Sequence, residues 1–516
     1  MAKRSGGNQV TGASGHASGG GREHAAPAQR RLTSSSCPAI VHALDGAAVA
    51  FFLGAMGWLG LLWARMVLSP APQEMREGAL VMTTLALLEE RNPYASADPL
   101  SAGLSGGNLY GILYPLAVAP FALVLGPGLA THRLVNGLAL LVAAALVWRG
   151  ARTAGAARLP ALLAALVSLA GWLYWVGPTV RPDGLGLALM LGALAVAAPD
   201  PASPRRLAAA LALSLAGVAT KLYFVGGVLI IAAYVFLFAS WRRGLAMAAA
   251  AIAAILLWAV LLERLMPGWG ALVLRANIGA AGYDARHLFR QGIDWLVFSL
   301  PLVAGLAAAV VTLPRSRWRG QAGFWAFAAL CGLAVLVVAL GGHVGAHMTY
   351  FFHLLTPPLA IAFAAAIGTG EGPRRAFVLL LPVAVILNTR WFVLDPSRFA
   401  AAEARFAVAA EALAEASAPL VTTEFAALAA LSGHSPIETG HSEYMLAPAD
   451  QAALRQRLAA ALRDRSFDIV IVNRNNAGLV HARDVEAAGY VRVLSLPVEL
   501  VWAMQSWEAD LWRRPD

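Results

Sequence analysis

Two carboxylates in the pentapeptide Glu74-Met75-Arg76-Glu77-Gly78 are the residues whose type and position most suggest chemistry. They follow the first membrane-length apolar segment, which runs from about Ala47 to Leu68. Only 13% of the 516 residues are charged, so carboxylates that emerge at a membrane face are rare in this chain. Scarce ionisable groups at such a surface favour chemistry on a substrate that is held there.

Basic residues at the same predicted face are candidates to bind an anion. Val180-Arg181-Pro182-Asp183-Gly184 lies where one apolar segment ends and the next begins, and Thr220-Lys221-Leu222-Tyr223 lies between two others. Guanidinium and ammonium groups bind phosphate well, so a phosphate at the membrane surface is the favoured ligand. Pairing with nearby carboxylates is the structural alternative. Asp183 can cap the next helix, orient Arg181 or bind a divalent cation.

A third polar cluster extends from Gly342 to His353. Its histidine spacing does not match a zinc-binding helix, and no acidic residue lies nearby to complete such a site. We therefore assign no metal-ligand set here. His347 and Tyr350 are predicted to line a ligand groove.

The composition predicts the elements that must position these residues. Apolar residues make up 59% of the chain and recur in runs of membrane length, which indicates a polytopic α-helical membrane protein. The formal charge of +10 is explained by basic residues in short loops between apolar runs, so no nucleic-acid partner is predicted. The two cysteines, Cys37 and Cys331, allow no disulfide framework and no CxxC metal pair.

The basic loops also predict the orientation in a bacterial plasma membrane, with a cytoplasmic N-terminus. Every basic loop lies inside only if the segment 110–126, which contains Pro115 and Pro120, is a juxtamembrane or re-entrant helix on the outer face. About eleven spans follow: 47–68, 131–149, 159–177, 184–199, 206–219, 222–240, 244–263, 292–313, 321–341, 349–369 and 376–393.

Three domains are predicted. Residues 1–45 are polar and basic and form a disordered cytoplasmic tail, and residues 46–394 form the transmembrane domain. Residues 395–516 form a small extracytoplasmic α/β domain, because strand patterns at 420–423, 468–472 and 491–496 alternate with helical patterns.

The order of the motifs resembles the glycosyltransferase C superfamily, specifically its RgtA/B/C/D-like and protein-mannosyltransferase-like group, over about residues 47–393. After the Glu-Gly of the first outer loop, the residues that carry the resemblance are Asn92-Pro93-Tyr94, Tyr110-Gly111-Ile112-Leu113-Tyr114-Pro115-Leu116, Gly126 with His132-Arg133-Leu134, Arg181-Pro182-Asp183, Thr220-Lys221 and Tyr350-Phe351-Phe352.

The resemblance implies a membrane enzyme that transfers a sugar from a polyprenyl-phosphate donor to a glycan, lipid or protein hydroxyl on the extracytoplasmic face. An acidic residue of the first outer loop acts as base. Glu77 matches that position best, and Glu74, one helical turn away, is the alternative. Arg181, Lys221 and Arg275 are predicted to bind the donor phosphate. The predicted groove residues are Tyr94, Tyr114, Arg133, Asp183, His347 and Tyr350.

Two other classes of function fit the same apolar composition. A transporter or lipid flippase would also have many spans, although such proteins often show internal repeats and charges in mid-span. A structural assembly protein, with residues 396–516 as its working part, is the third alternative. Formation of a new glycosidic bond distinguishes the transferase from both.

Overall fold

The structure is a computed structural model. It describes residues 37–73, 77–94, 110–177, 179–274, 284–338, 348–368, 371–388, 396–421, 426–434, 448–474, 479–496 and 509–515. The chain divides into two compact units, Met1–Ala43 and Leu44–Asp516. All the contacts described below lie within the second unit.

Helices make up most of the described chain before residue 389, and short 3₁₀ or π turns at Leu222–Phe224, Gly270–Leu274 and Arg315–Trp318 separate some of them. The helices are α1 (Cys37–Leu68), α2 (Glu77–Leu88), α3 (Leu113–Leu125), α4 (Leu129–Thr153), α5 (Arg158–Trp175), α6 (Asp183–Ala197), α7 (Pro204–Thr220), α8 (Val225–Phe238), α9 (Trp241–Leu265), α10 (Ala285–Phe298), α11 (Leu300–Thr312), α12 (Gln321–Val338), α13 (Met348–Leu354), α14 (Thr356–Ile367) and α15 (Glu371–Leu387).

The Leu-, Ala- and Val-rich sequences of these segments favour a membrane environment. A segment in a membrane forms a helix because a helix satisfies its backbone hydrogen bonds internally. Their outer faces are apolar as well, and on α9 Leu256, Leu257 and Val260 are each about 60–70% exposed. Among the described residues, five helical segments are long and apolar enough to cross a membrane, or six if the pair α10 and α11 is one span. Each predicted span overlaps a helix. The chain is thus a polytopic helical membrane protein, and the count of eleven stays a prediction.

The predicted straight span at 292–313 is instead a bent pair of helices. α10 and α11 meet at 83°. Pro301, at the second position of α11, has no backbone N–H and suits a helix start rather than a helix interior. The break therefore has a local cause in the sequence.

Both ends of α3 lie at the same end of the helix bundle. Before α3, the Gly111 amide donates to the Thr220 carbonyl at 2.9 Å. In the first turn of α3, Tyr114 Oη donates to the His132 carbonyl at 2.7 Å. After α3, Thr131 Oγ1 donates to the Gly126 carbonyl at 2.7 Å. This is the arrangement expected of a juxtamembrane or re-entrant helix.

Two of the predicted cytoplasmic arginines lie at the other end of the bundle. Arg243, in the first turn of α9, donates to the Ala202 carbonyl beyond the end of α6. Arg375 lies 3.8 Å from the Asp45 carboxylate near the start of α1. A cytoplasmic position for this end remains the prediction from the charge pattern.

A four-stranded sheet and its helices form the C-terminal part. The elements are α16 (Pro396–Glu415), β1 (Pro419–Val421), α17 (Ala426–Leu431), α18 (Pro448–Arg463), β2 (Ile469–Asn473), α19 (Ala482–Ala487), β3 (Val491–Leu496) and β4 (Ala509–Arg513). The strand order is β1-β2-β4-β3, with β1 parallel to β2 and the other pairs antiparallel. The first three strands lie where the sequence predicts them, and β4 was not predicted.

The sheet buries apolar residues on both faces. Alternate residues of β2 point to opposite sides, so Val470 packs in one cluster and Ile471 in the other. The cluster around Ile471 also contains Met66 and Ala71, which belong to the end of α1 and the segment after it. The C-terminal part therefore packs against the segment that leads to Glu77.

Candidate active site

A fully buried ion pair joins Glu77, the first residue of α2, to Arg133 in the first turns of α4. Arg133 Nε lies 2.9 Å from Glu77 Oε1, and Arg133 Nη2 lies 2.7 Å from Glu77 Oε2. Both side chains are 0% exposed. This bidentate arrangement is the strongest geometry for a guanidinium–carboxylate pair.

Further hydrogen bonds use the other faces of the same two groups. Arg133 Nη1 donates to the carbonyls of Met66 and Ser69 at 3.1 and 2.7 Å, and Nη2 donates to the Ala71 carbonyl at 2.7 Å. Arg133 thereby fixes the chain that leaves α1. It was predicted to line a substrate groove, but its burial in this network keeps it from doing so here.

The described residues between 176 and 184, which are 176–177 and 179–184, are attached to the same network. The Val180 amide donates to Glu77 Oε1 at 2.8 Å. Asn136, one turn after Arg133, donates to the carbonyls of Val176 and Thr179 at 2.9 and 3.0 Å and accepts from the Gly184 amide at 3.0 Å. One face of α4 thus holds both loops that carry the predicted chemistry.

A second buried cluster surrounds Asp183, the first residue of α6. Asp183 Oδ1 accepts from Lys221 Nζ and from Tyr223 Oη, both at 3.0 Å. Tyr223 Oη is also hydrogen-bonded to His353 Nδ1. The sequence allowed three roles for Asp183. Capping of α6 is not one that the structure shows, because no side-chain hydrogen bond caps the start of this helix.

The ammonium of Lys221 lies among aromatic rings. Its Nζ is 4.7 Å from the ring centre of Tyr110, 5.0 Å from that of Tyr223 and 5.4 Å from that of Tyr350. These are cation–π distances. The chain has 37 arginines but only two lysines, Lys3 and Lys221. A compact ammonium fits between three rings and a carboxylate, whereas a planar guanidinium is larger and needs a different arrangement of partners.

Electrostatics keep this lysine charged. Burial disfavours the ammonium, but the Asp183 carboxylate outweighs burial and raises the pKa of Lys221 above its usual value. Arg181 is 7% exposed and acts electrostatically on both Asp183 and Lys221. Arg181, Lys221 and Asp183 therefore form one electrostatic cluster.

Two buried atoms of the cluster have no hydrogen-bond partner among the described residues, Asp183 Oδ2 and His353 Nε2. They do not make a metal centre, because Lys221 already neutralises Asp183 and repels a cation. The described part of the chain contains no group of three His, Cys, Asp or Glu side chains that could hold a metal ion. The divalent cation that the sequence allowed near Asp183 therefore fits these residues poorly, and we derive no step from it.

The structure brings together six of the predicted site residues in two neighbouring networks, Glu77, Arg133, Arg181, Asp183, Lys221 and Tyr350. Tyr114 is fully buried and supports α4 through its bond to the His132 carbonyl. Tyr94 is fully buried beside Ile112, Leu262 and Trp269. Glu74, Arg275 and His347 lie outside the described residues.

Sequence reasoning missed Asn136, Tyr223 and His353 as site residues. Each lies two or three residues from a predicted one, namely Arg133, Lys221 and Tyr350. A three-residue spacing on a helix puts two side chains on one face, so Asn136 and His353 could have been found by following the face of their helix.

Comparison with known proteins finds no family model and no curated protein that matches this chain. The solved structures that are similar to it include two of one protein. One is ArnT from Cupriavidus metallidurans in the apo state, at 13% identity and a TM-score of 0.42, with 91% of this chain and 100% of that chain covered. The other is the same protein bound to undecaprenyl phosphate, at 14% identity and a TM-score of 0.42, with 93% and 100% covered.

ArnT is a GT-C glycosyltransferase, the superfamily that the sequence motifs resemble. Because these likenesses are distant, we infer function from this chain's own site.

Proposed function

We propose that this chain is a membrane glycosyltransferase that moves a sugar from a polyprenyl-phosphate donor to an acceptor hydroxyl, with inversion, on the extracytoplasmic face. One observation carries the proposal. The first-loop acid, the Arg-Pro-Asp segment, the Thr-Lys pair and the helix α13 are far apart in sequence, yet hydrogen bonds gather them into two neighbouring networks at one end of the bundle.

The location of the buried charges favours a transferase over a transporter. Among the described residues of the helical part, the buried charged side chains are Glu77, Arg133, Arg181, Asp183 and Lys221, and all of them lie at this end. A transporter typically binds its substrate near the bilayer midplane. A catalytic site for a membrane lipid with a polar head group belongs at the membrane surface instead.

Arg181 and Lys221 are proposed to bind the donor phosphate, together with Arg275. A sugar linked through one phosphate to a polyprenol carries one negative charge, which a guanidinium and an ammonium bind well. Lys221 has three N–H donors, and Asp183 takes one of them. As the donor is cleaved, the same groups would stabilise the charge that develops on the leaving phosphate.

The proposed step is a single displacement at the anomeric carbon. The acceptor oxygen forms a bond to that carbon while the bond from the carbon to the phosphate oxygen breaks. The electron pair leaves with the polyprenyl phosphate, and the hydroxyl proton goes to a carboxylate of the first loop, Glu77 or Glu74. Such base catalysis typically contributes about 10²–10⁴-fold.

The outer surface of α3 suits the lipid part of the donor. Leu123 and Val124 are 76% and 81% exposed, on a helix whose two ends both lie beside the site. Exposed leucine and valine side chains on a membrane-facing helix would contact acyl and prenyl chains. The transferred sugar is proposed to be a hexosyl or pentosyl group, and the acceptor a glycan, a lipid or a protein.

The function is tested by mass spectrometry of envelope glycans and glycolipids from bacteria with the gene, without it, and with Lys221→Ala. We expect one glycosylated species to disappear in both altered strains and its unglycosylated acceptor to accumulate. An unchanged set of glycosylated species, with the loss of a lipid or solute from the outer surface, would instead support the transporter.

A further inference from the structure

We infer that Glu77 is a positioning residue that fixes the segment bearing Arg181, rather than the group that accepts the proton. This inference rests on the proposed function and resolves the choice between the two first-loop carboxylates. It starts from the hydrogen bonds of the Glu77 side chain, all of which are made within the protein.

Each oxygen of Glu77 already accepts two hydrogen bonds. Oε1 accepts from Arg133 Nε at 2.9 Å and from the Val180 amide at 2.8 Å. Oε2 accepts from Arg133 Nη2 at 2.7 Å and from the Gln73 amide at 2.6 Å. A carboxylate has about four lone-pair sites, so none remains to receive a proton from an acceptor hydroxyl.

Burial leads to the same conclusion. Glu77, Gln73 and Arg133 are each 0% exposed. A general base must come within hydrogen-bond distance of the proton that it removes. For Glu77 to do so, it would have to leave a buried guanidinium without its counter-charge, which is a strongly unfavourable change.

The same bonds give Glu77 a mechanical role. Val180 directly precedes Arg181, so the bond from its amide to Oε1 fixes the backbone one residue before the proposed phosphate-binding guanidinium. Asn136 fixes the two sides of this segment, at Thr179 and at Gly184. Loss of the Glu77 bond would release the middle of the segment and displace Arg181.

The test uses the full chain in lipid nanodiscs and compares Glu77→Gln with Glu89→Gln. Glu89 follows α2, pairs with Arg91 and is about half exposed, so its variant is a matched control that should behave as wild type. Two properties are measured: the affinity for a polyprenyl monophosphate, and the kcat and donor KM for transfer across a range of pH.

In Glu77→Gln the new NH2 group would face the N–H donors of Arg133 and Gln73 and would move the side chain away from the Val180 amide. We therefore expect weaker polyprenyl monophosphate binding and a donor KM raised by about 10- to 100-fold, the usual range for a lost hydrogen bond to a charged group. The pH dependence of kcat should keep its shape. A fall in kcat of about 10²–10⁴-fold with unchanged lipid affinity is the result for a missing base, and it would overturn the inference.

A second variant covers the case in which Glu77→Gln does not fold. Combining Glu77→Gln with Arg133→Gln removes both buried charges and leaves an amide oxygen that can still accept from Val180. This double variant should recover folding and measurable transfer. If it folds and binds the lipid but transfers no sugar, while wild type does, Glu77 is the base and the inference is wrong.

The two proposals fail in different ways. If wild type and Glu89→Gln transfer no sugar, the proposed function is wrong, and lipid affinity alone decides the role of Glu77. Weaker polyprenyl monophosphate binding in Glu77→Gln would then support the positioning role, and unchanged binding would contradict it.

Discussion

Asp183 holds the ammonium of Lys221 at 3.0 Å, and of the two side chains only that of Lys221 has any exposed surface, at 10%. The carboxylate therefore lies behind the ammonium and orients it. Tyr223 bonds to the same carboxylate oxygen, which fixes the carboxylate in turn. The pair thus holds the ammonium in a fixed place.

Lys221→Arg should inactivate the protein although it keeps the charge. Three aromatic rings within 4.7–5.4 Å of Nζ leave space for an ammonium but not for a guanidinium plane. We expect the transfer rate to fall by about 10²–10³-fold, the usual cost of one lost charge-stabilising donor. Lys3→Arg, at the other lysine of the chain, is the matched control and should transfer at the wild-type rate.

Asp183→Leu should destabilise the fold because it leaves Lys221 buried without a counter-charge. The expected loss is on the order of 3–5 kcal/mol in the free energy of unfolding. Adding Lys221→Met removes the second charge and should restore most of that stability without restoring transfer. Chemical unfolding in detergent measures the free energy of unfolding of each variant. If the loss in the double variant equals the sum of the losses in the two single variants, the two residues are not coupled.

Gly78→Val should separate the C-terminal part from the start of α2. A Cβ at Gly78 would lie 2.7 Å from both Ala426 Cβ and the Ala427 amide nitrogen, and overpacking of this kind typically costs about 1–3 kcal/mol. We expect faster proteolysis of residues 396–515 and slower transfer. Gly60→Val on α1, where a Cβ would meet nothing within 4 Å, is the control, and equal sensitivity of both variants would count against this contact.

The C-terminal part should lose stability in acid through Asp468. Partial burial disfavours its charged form, but hydrogen bonds from Ser417 and the Ala418 amide outweigh burial and lower the pKa of this carboxyl. A carboxyl group whose pKa is lower in the folded protein than in the unfolded chain stabilises the fold at pH values above its unfolded pKa, which is about 3.9 for Asp. This stability is lost as the pH falls through the pKa of the folded state. Asp468→Asn should remove this loss of stability in acid. Hydrogen exchange of the β1 and β2 amides measures it, and their protection should depend less on pH in the variant than in wild type.

The sequence predicts the helical architecture well because apolar runs and basic loops are local signals. The helix for each span, the strands β1 to β3 and the short segment at 110–126 follow from such patterns. β4 was missed because Asp510 and Arg513 interrupt its apolar residues, and the carboxylate of Asp510 is neutralised only in the fold, by Arg474.

The candidate site is harder to predict because its partners are distant in sequence. Glu77 and Arg133 are 56 residues apart, and Tyr223 and His353 are 130 apart. Residue types suggest that these groups matter, but only the fold shows that both oxygens of Glu77 are occupied by partners. That is why the sequence left Glu77 and Glu74 open as bases.

The most direct test of the central claim is transfer by the purified chain in nanodiscs that contain a polyprenyl-phosphate-linked sugar pool and envelope lipids. Mass spectrometry follows both products. We predict that glycosylated acceptor and free polyprenyl phosphate form in equal amounts with wild type and not with Lys221→Ala. Failure of wild type to form any glycosidic bond, while it moves the lipid-linked sugar between the leaflets of sealed vesicles, would contradict the account.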